Sequence, residues 1–352
     1  MIIITVFFTL FLIECNAVGD CWLPSEKDFN VDDFQYEGDP IYFACINDVS
    51  QLQFHITKVE NGSLPLSLID ALDNGKGLSL FFHGISFMIT DDDDLDFEFA
   101  QDWFLASKNN VCVVSYDYEI KRSIGYQMYW NLKRMVSTKR LEYVAKQARD
   151  LVLGIRHKCL ETTHRQCLRH MGQVDASGFS FGAHIAGRFC EYLQEKTGEQ
   201  VRILLALDPS KSFPLSPKPT NTIISSHAEF VQVIHTSMAG ISHQIPGVSH
   251  IFVDYTSSSS FFSALSEKHV LGFLLHVATA TKRLYIIADK NGNGRFINGI
   301  EHFDIPELKE NECLVGIYAP HGQWNCGGRF EISLKNQTNI LWAALGHFTR
   351  LL

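Results

Sequence analysis

A serine between two glycines gives this chain its first chemical feature. The segment Gly178-Phe179-Ser180-Phe181-Gly182 has the pattern G-x-S-x-G. In a nucleophile elbow, such a serine occupies a tight turn between a strand and a helix, and the flanking glycines permit close backbone packing. The N-terminus of the following helix favours negative charge near the serine oxygen. Because glycine and serine are also common in loops, the pentapeptide alone leaves an ordinary turn open.

Other polar side chains that could act with Ser180 stand at the ends of predicted strands. His83 follows the apolar run 78–82, Asp208 follows 201–207, and His235 ends 230–235. In open α/β sheets, ligands bind beyond the carboxyl ends of the strands, so we expect these residues to lie at one edge. Asp208 could also be a turn residue before Pro209. The elbow upstream favours the role of an acid.

Apolar patterns predict strands that alternate with helices. Continuous β-rich runs predict strands at 78–82, 111–118, 201–207 and 230–235, and helical spacing predicts helices at 102–108, 141–152 and 181–194. Such alternation indicates an α/β protein with a doubly wound, mostly parallel sheet and helices on both faces. Alternation at 51–56 predicts an edge strand. Further along, the sequence predicts a loop at 250–268, a helix opened by His269, and strands at 283–287, 315–318 and 329–334.

Several of these segments together resemble the pancreatic lipase family of the α/β-hydrolase superfamily. They are 178–187 around the elbow, 206–210 around Asp208, 229–236, the Phe81-Phe82-His83-Gly84 run and the strand at 110–117. Lys268-His269-Val270-Leu271-Gly272 matches the register of the family's histidine motif, which has a small residue three positions after the histidine. The resemblance covers residues 78–334 and implies an α/β-hydrolase fold.

By residue, the resemblance implies a Ser-His-Asp triad. Ser180 would be the nucleophile, Asp208 the orienting acid and His269 the base, in the chain order of α/β-hydrolases. The backbone N–H groups of Phe181 and Ile85 would form the oxyanion hole. Other histidines also lie downstream of Asp208, and the alternatives for the base are His243, His250 and His276.

The chain also differs from this family's usual pattern. No cysteine occurs between Glu191 and Glu312, so the paired cysteines that bound the family's lid are absent. A short lid resembles that of phospholipases A1 of the insect type, and implies a lipid or phospholipid substrate at a membrane or micelle surface. A triacylglycerol lipase with a short lid and an inactive lipase-like binding or storage protein are the alternatives. Residues near the family's calcium position are Ile224 and His227, so we expect no metal and no cofactor.

Composition and the chain termini set further limits. The 352 residues are 46% hydrophobic with a net charge of −9, which suits a globular protein and lacks the basic footprint of a nucleic-acid partner. Residues 1–17 are predicted to be a secretory signal peptide, because 1–13 is almost unbroken apolar sequence but too short to span a bilayer. Residues 18–352 are predicted to form a single lipase domain with no C-terminal β-sandwich and no transmembrane span.

Cysteines and glycosylation motifs agree with a secreted, extracellular glycoprotein. Outside the predicted signal peptide the chain has an even number of cysteines, as an oxidising compartment favours. Proximity along the chain predicts the disulfides Cys21–Cys45, Cys159–Cys167 and Cys313–Cys326, with Cys112 and Cys190 as buried free thiols. Asn61 and Asn336 begin N-x-S/T acceptor motifs for glycosylation.

Overall fold

A computed structural model describes most of the chain. The described residues are 30–60, 62–85, 94–118, 131, 134–135, 138–161, 167–210, 222–257, 261–300, 304–321, 326–335 and 337–351. The predicted signal peptide, Cys21 and the glycosylation acceptors Asn61 and Asn336 lie outside these residues. The predicted domain boundary at residue 18 lies outside them as well.

The described strands form one mixed, twelve-stranded sheet. The strands are β1 Ile41–Ile46, β2 His55–Val59, β3 Leu78–Phe82, β4 Asn110–Ser115, β5 Val174–Phe179, β6 Val201–Leu207, β7 Ala228–His235, β8 Ser249–Asp254, β9 Leu284–Asp289, β10 Arg295–Asn298, β11 Glu312–Leu314 and β12 Gly328–Ser333. Their order is β10-β9-β12-β8-β7-β6-β5-β3-β4-β1-β2, and β11 pairs with β9. From β4 to β12 along this order the strands run parallel, and the remaining pairs are antiparallel.

Helices cover both faces of the sheet. They are α1 Leu66–Leu72, α2 Asp94–Ser107, α3 Arg140–Glu161, α4 Phe181–Thr197, α5 Phe261–Ala280 and α6 Thr338–Leu345. Because successive side chains of a strand point to opposite faces, Leu80 and Phe82 of β3 join one apolar cluster while Phe81 joins the other. The first cluster includes side chains of α3 and α4, and the second includes side chains of α2, α5 and α6. This is a doubly wound α/β-hydrolase fold, as the sequence predicts.

Three segments differ from the sequence-based prediction. The edge strand predicted at 51–56 begins at His55, as β2 at His55–Val59. Residues 250–268 are not a loop, because β8 occupies Ser249–Asp254 and α5 begins at Phe261. His269 therefore lies within α5 rather than at its start. The predicted strand 315–318 is wrong as well: Gly316 has a φ of 100° and its N–H donates to Gln232 Oε1 at 2.7 Å, so the chain turns there. Val315 and Ile317 are nevertheless buried, which explains their apolar character.

Disulfide pairing also needs one correction. Cys45 pairs with Cys112, not with Cys21, so Cys112 is not a free thiol. The reason is strand register: β1 runs antiparallel to β4, and Cys45 lies directly opposite Cys112. The other two predicted pairs, Cys159–Cys167 and Cys313–Cys326, are present, and Cys190 is a buried free cysteine. Within the described residues, no helix has both the length and the apolarity that crossing a membrane requires.

Candidate active site

Ser180 stands at a strained turn between β5 and α4. Its backbone angles are φ 56° and ψ −117°, a conformation that costs a non-glycine residue about 1–3 kcal/mol. Neighbouring backbone holds the turn in place. Ser180 N–H donates to the carbonyl of Leu207 at 2.9 Å, and the Ser180 carbonyl accepts from Ser210 N–H at 3.2 Å. The segment that carries Asp208 is thus hydrogen-bonded to both sides of the serine.

The two glycines of the pentapeptide are required by close backbone packing. A Cβ on Gly178 would lie 2.3 Å from the carbonyl oxygen of Gly182. A Cβ on Gly182 would lie 2.1 Å from the oxygen of Phe82 and 2.3 Å from that of His83. Because such distances are far below van der Waals contact, α4 can approach β3 only where these side chains are missing. The G-x-S-x-G segment therefore has the backbone geometry that is typical of a nucleophile elbow.

Asp208 follows β6 directly and its side chain is fully buried. Its N–H donates to the Ile234 carbonyl at 2.8 Å, which continues the parallel pairing of β6 with β7. The carboxylate oxygen Oδ1 accepts from the N–H groups of Thr236 at 2.9 Å and Ser237 at 3.1 Å. These bonds stabilise the buried negative charge and fix the rotation of the carboxylate.

His269 reaches the same place from α5. Gly272, one turn further along α5, lets the helix approach the acid, because a Cβ there would lie 3.2 Å from Asp208 Cβ. The Phe179 ring packs against the His269 ring with centroids 4.8 Å apart. Asp208 is buried, whereas the His269 side chain is 21% exposed and Ser180 is partly exposed.

A continuous hydrogen-bond chain joins the three side chains. His269 Nδ1 lies 2.6 Å from Asp208 Oδ2, and His269 Nε2 lies 2.8 Å from Ser180 Oγ. A carboxylate can only accept, so Nδ1 carries the proton and donates it to Asp208. The neutral imidazole then has its lone pair on Nε2, where it accepts the hydroxyl proton of Ser180. This arrangement can take a proton from Ser180 as the oxygen attacks an electrophile.

Backbone expected to form an oxyanion hole borders Ser180 on two sides. Phe181 is the first residue of α4 and follows Ser180 directly. Gly84 lies against the serine, since a Cβ on it would be 3.4 Å from Ser180 Cβ, and Ile85 comes next in the chain. Tyr116 Oη donates to the His83 carbonyl at 2.6 Å and thereby holds the start of this segment.

The alternative bases have other surroundings. His276, deep within α5, is buried with Nε2 3.2 Å from Ser177 Oγ, and burial lowers its pKa to about 3. His250 donates through Nδ1 to His235 Nε2 at 2.8 Å, while its Nε2 accepts from Ile245 N–H at 2.8 Å. His243 is exposed. Of the four candidates, His269 is the one that the structure brings to Ser180 and Asp208.

Sequence reasoning missed the residues that hold the Asp208 carboxylate in place. Thr236 and Ser237 follow β7, the strand next to β6. Their N–H groups and the Ser237 hydroxyl donate hydrogen bonds to the Asp208 carboxylate. Their position directly after a predicted strand was the available signal. The described residues contain no group of three or more His, Cys, Asp or Glu side chains that could hold a metal ion.

Comparison with known proteins gives weak relatives. No protein-family model matches the chain. A phospholipase A1 from Dinoponera quadriceps is 24% identical over 153 residues, which are 43% of this chain and 39% of that protein. The chain thus matches well under half the length of this curated relative. The family resemblance found in the sequence stays a prediction.

Solved structures of esterases resemble the chain at low identity. The Pyrobaculum calidifontis esterase in its monoclinic form has a TM-score of 0.32 and 12% identity, over 79% of this chain and 91% of that chain. The esterase LipW from Mycobacterium marinum has a TM-score of 0.30 and 9% identity, over 66% of this chain and 68% of that chain.

Proposed function

We propose that this protein is a secreted serine hydrolase that cleaves carboxylic esters of lipids, with phospholipase A1-like specificity. The observation that carries the proposal is the hydrogen-bond chain from Ser180 through His269 to Asp208, with distances of 2.8 and 2.6 Å. The match to a phospholipase A1 supports a lipid as the substrate class. The predicted signal peptide and the disulfides support secretion, because disulfides persist in oxidising compartments.

The proposed reaction begins with acyl transfer to the serine. Ser180 Oγ attacks the ester carbonyl carbon while its proton passes to His269 Nε2, and Asp208 stabilises the resulting imidazolium. The carbonyl oxygen becomes an oxyanion, which the N–H groups of Phe181 and Ile85 would bind. When the ester C–O bond breaks, His269 returns its proton to the leaving alcohol, which for a phospholipid is the lysophospholipid.

Water then completes the proposed cycle. His269 takes a proton from water, and the oxygen attacks the acyl carbon attached to Ser180. Collapse of the second tetrahedral intermediate releases the fatty acid and restores the serine hydroxyl with the proton from His269. The cycle uses no cofactor and no metal.

The short connection between β8 and α5 supports specificity for phospholipid. In the resembled family the lid lies in this part of the chain, and here α5 begins at Phe261, soon after β8 ends at Asp254. A short connection offers little chain to cover the serine, so a polar head group could approach it. This feature favours a phospholipid over the bulk phase of a triglyceride.

The test compares the wild-type protein with Ser180→Ala on two lipids. Phosphatidylcholine vesicles with different acyl chains at sn-1 and sn-2, and emulsified triolein, are incubated with each protein, and the released fatty acids are identified by mass spectrometry. We expect release of the sn-1 acid by the wild type and loss of at least 1,000-fold in the variant, since removing the nucleophile of such a triad can lower kcat by about 10⁶-fold. Ser50→Ala, at an exposed serine, is the matched control.

Each other outcome has a meaning. Undiminished hydrolysis by Ser180→Ala would refute the acyl-enzyme on Ser180. Faster turnover of triolein than of phosphatidylcholine would identify a triacylglycerol lipase instead. A fluorophosphonate probe that leaves Ser180 of the wild type unlabelled would indicate an inactive binding or storage protein.

A further inference from the structure

Ser237 donates hydrogen bonds to both carboxylate oxygens of Asp208. Ser237 N–H donates to Oδ1 at 3.1 Å, and Ser237 Oγ donates to Oδ2 at 2.5 Å. Oδ2 is also the oxygen that faces His269 Nδ1, at 2.6 Å. The hydroxyl of Ser237 and the imidazole of His269 therefore share a single acceptor atom.

The orientation of the Ser237 hydroxyl follows from its own contacts. Ala239 N–H donates to Ser237 Oγ at 3.0 Å, which occupies a lone pair of that oxygen. A carboxylate carries no proton, so the hydroxyl proton of Ser237 points at Oδ2. The loop after β7 comes this close because Gly240 has no side chain: a Cβ there would lie 2.4 Å from Asp208 Oδ1.

We propose that Ser237 is a positioning residue for His269, one that holds Asp208 Oδ2 towards Nδ1 and tunes the negative charge which that oxygen offers. The inference rests on the proposed function, in which His269 is the base. A donor at Oδ2 draws charge from the oxygen that stabilises the imidazolium. Removing the hydroxyl deletes one of the two hydrogen bonds described at Oδ2, while the backbone bonds to Oδ1 remain. Oδ2 is then held less firmly and offers more negative charge to His269, so two measurable properties change together.

Charged groups around this pair do not obscure the effect. His235 ends β7 next to the loop, and burial lowers its pKa to about 4, so it stays neutral above about pH 5. On α5, Glu267 accepts from the hydroxyls of Tyr255 and Ser257, and Lys268 is the other charged neighbour of His269 in the chain. Neither residue changes when Ser237 is substituted.

The experiment measures Ser237→Ala, Ser237→Thr and the control Ser50→Ala on p-nitrophenyl butyrate across pH 5–9. Ser50 is a close match, because its N–H and its hydroxyl donate to the two oxygens of Asp48 at 2.9 and 2.8 Å on the exposed surface. For Ser237→Ala we expect kcat to fall about 10-fold, as for a lost hydrogen bond to a charged group, with KM nearly unchanged. The acid limb of the pH–rate profile should move to higher pH, Ser237→Thr should restore most of kcat, and Ser50→Ala should match the wild type.

A purely structural role gives a different result. If kcat falls only in proportion to the folded fraction and the acid limb stays in place, or if nothing changes, the proposal is overturned. The titration of His269, followed by NMR and identified by the resonance missing in His269→Gln, provides a readout that needs no turnover. If Ser180→Ala keeps its activity, the proposed function fails, and an unmoved His269 titration in Ser237→Ala would then reject the positioning role on its own.

Discussion

Asp208→Asn should abolish catalysis through the direction of one hydrogen bond. In the structure, Oδ1 accepts from the N–H groups of Thr236 and Ser237, so this position must remain an acceptor after substitution. The asparagine carbonyl oxygen will therefore occupy the Oδ1 position, and the amide nitrogen will occupy the Oδ2 position. In the wild type, Oδ2 lies 2.6 Å from His269 Nδ1. An amide nitrogen in the Oδ2 position would therefore donate its N–H to His269 Nδ1.

This donation reverses the tautomer of His269. Nδ1 becomes the acceptor, Nε2 carries the proton, and the ring donates to Ser180 Oγ instead of accepting from it. The variant also loses the negative charge that stabilises the imidazolium. For a Ser-His-Asp triad, a wrong tautomer of this kind lowers kcat by about 10⁴-fold at neutral pH.

The assay is steady-state hydrolysis of p-nitrophenyl butyrate by Asp208→Asn at pH 7, with circular dichroism and the unfolding midpoint as measures of folding. Asp48→Asn is the control, because Asp48 accepts from Ser50 in the same two-point manner at an exposed site. If folded Asp208→Asn keeps more than a tenth of the wild-type kcat, the tautomer argument is refuted. A loss that only follows the unfolded fraction would refute it equally.

Two further predictions concern stability. Burial lowers the pKa of His83, His184 and His235 from 6.5 to about 4, so below pH 6.5 the unfolded chain binds protons that the native state does not. The free energy of unfolding should therefore fall by up to about 3 kcal/mol for each histidine as the pH drops from 6.5 towards 4. Urea titrations at pH 7 and pH 4.5 measure this change, and equal midpoints would contradict it. Of the disulfides, Cys45–Cys112 closes a loop of 67 residues and Cys159–Cys167 a loop of 8, so the paired Cys→Ala variants should lose about 4 and about 2.5 kcal/mol respectively. Thermal unfolding of the two double variants checks the ranking, and a larger loss for the short loop would contradict it.

Sequence patterns predicted the parallel core of the sheet well. β3 and β6 have the predicted bounds, because a strand buried on both faces is a short, continuous apolar run between polar ends. The same pattern misled at 315–318, where the side chains of Val315, Ile317 and Tyr318 pack in a turn rather than a strand. Buried turns and buried strands are both apolar in sequence. A run of four residues is too short to show a periodicity that could distinguish a strand from a turn.

Partners across the sheet were harder to predict than elements along the chain. Cys45 and Cys112 pair because β1 and β4 are neighbours in one register, with Cα atoms 4.1 Å apart. Nothing local in the sequence specifies that neighbour, whereas Cys159 and Cys167 are close along the chain. The same limit applies to Ser237, whose contact with Asp208 depends on β7 lying beside β6.

The site divides into a part that the sheet fixes and a part that it does not. Backbone bonds from Ser180 to Leu207 and from Asp208 to Ile234 tie β5, β6 and β7 together at their carboxyl ends. The relative positions of Ser180 and Asp208 thus follow from strand pairing, which is why motifs on these strands were enough to place the two residues at one edge of the sheet. His269 comes from α5, whose approach depends on Gly272 and on packing against Phe179. A change in α5 would consequently alter the Ser180–His269 distance while Asp208 stayed in place, so substitutions that uncouple His269 should cluster on this helix and at Phe179 of β5, which packs against it.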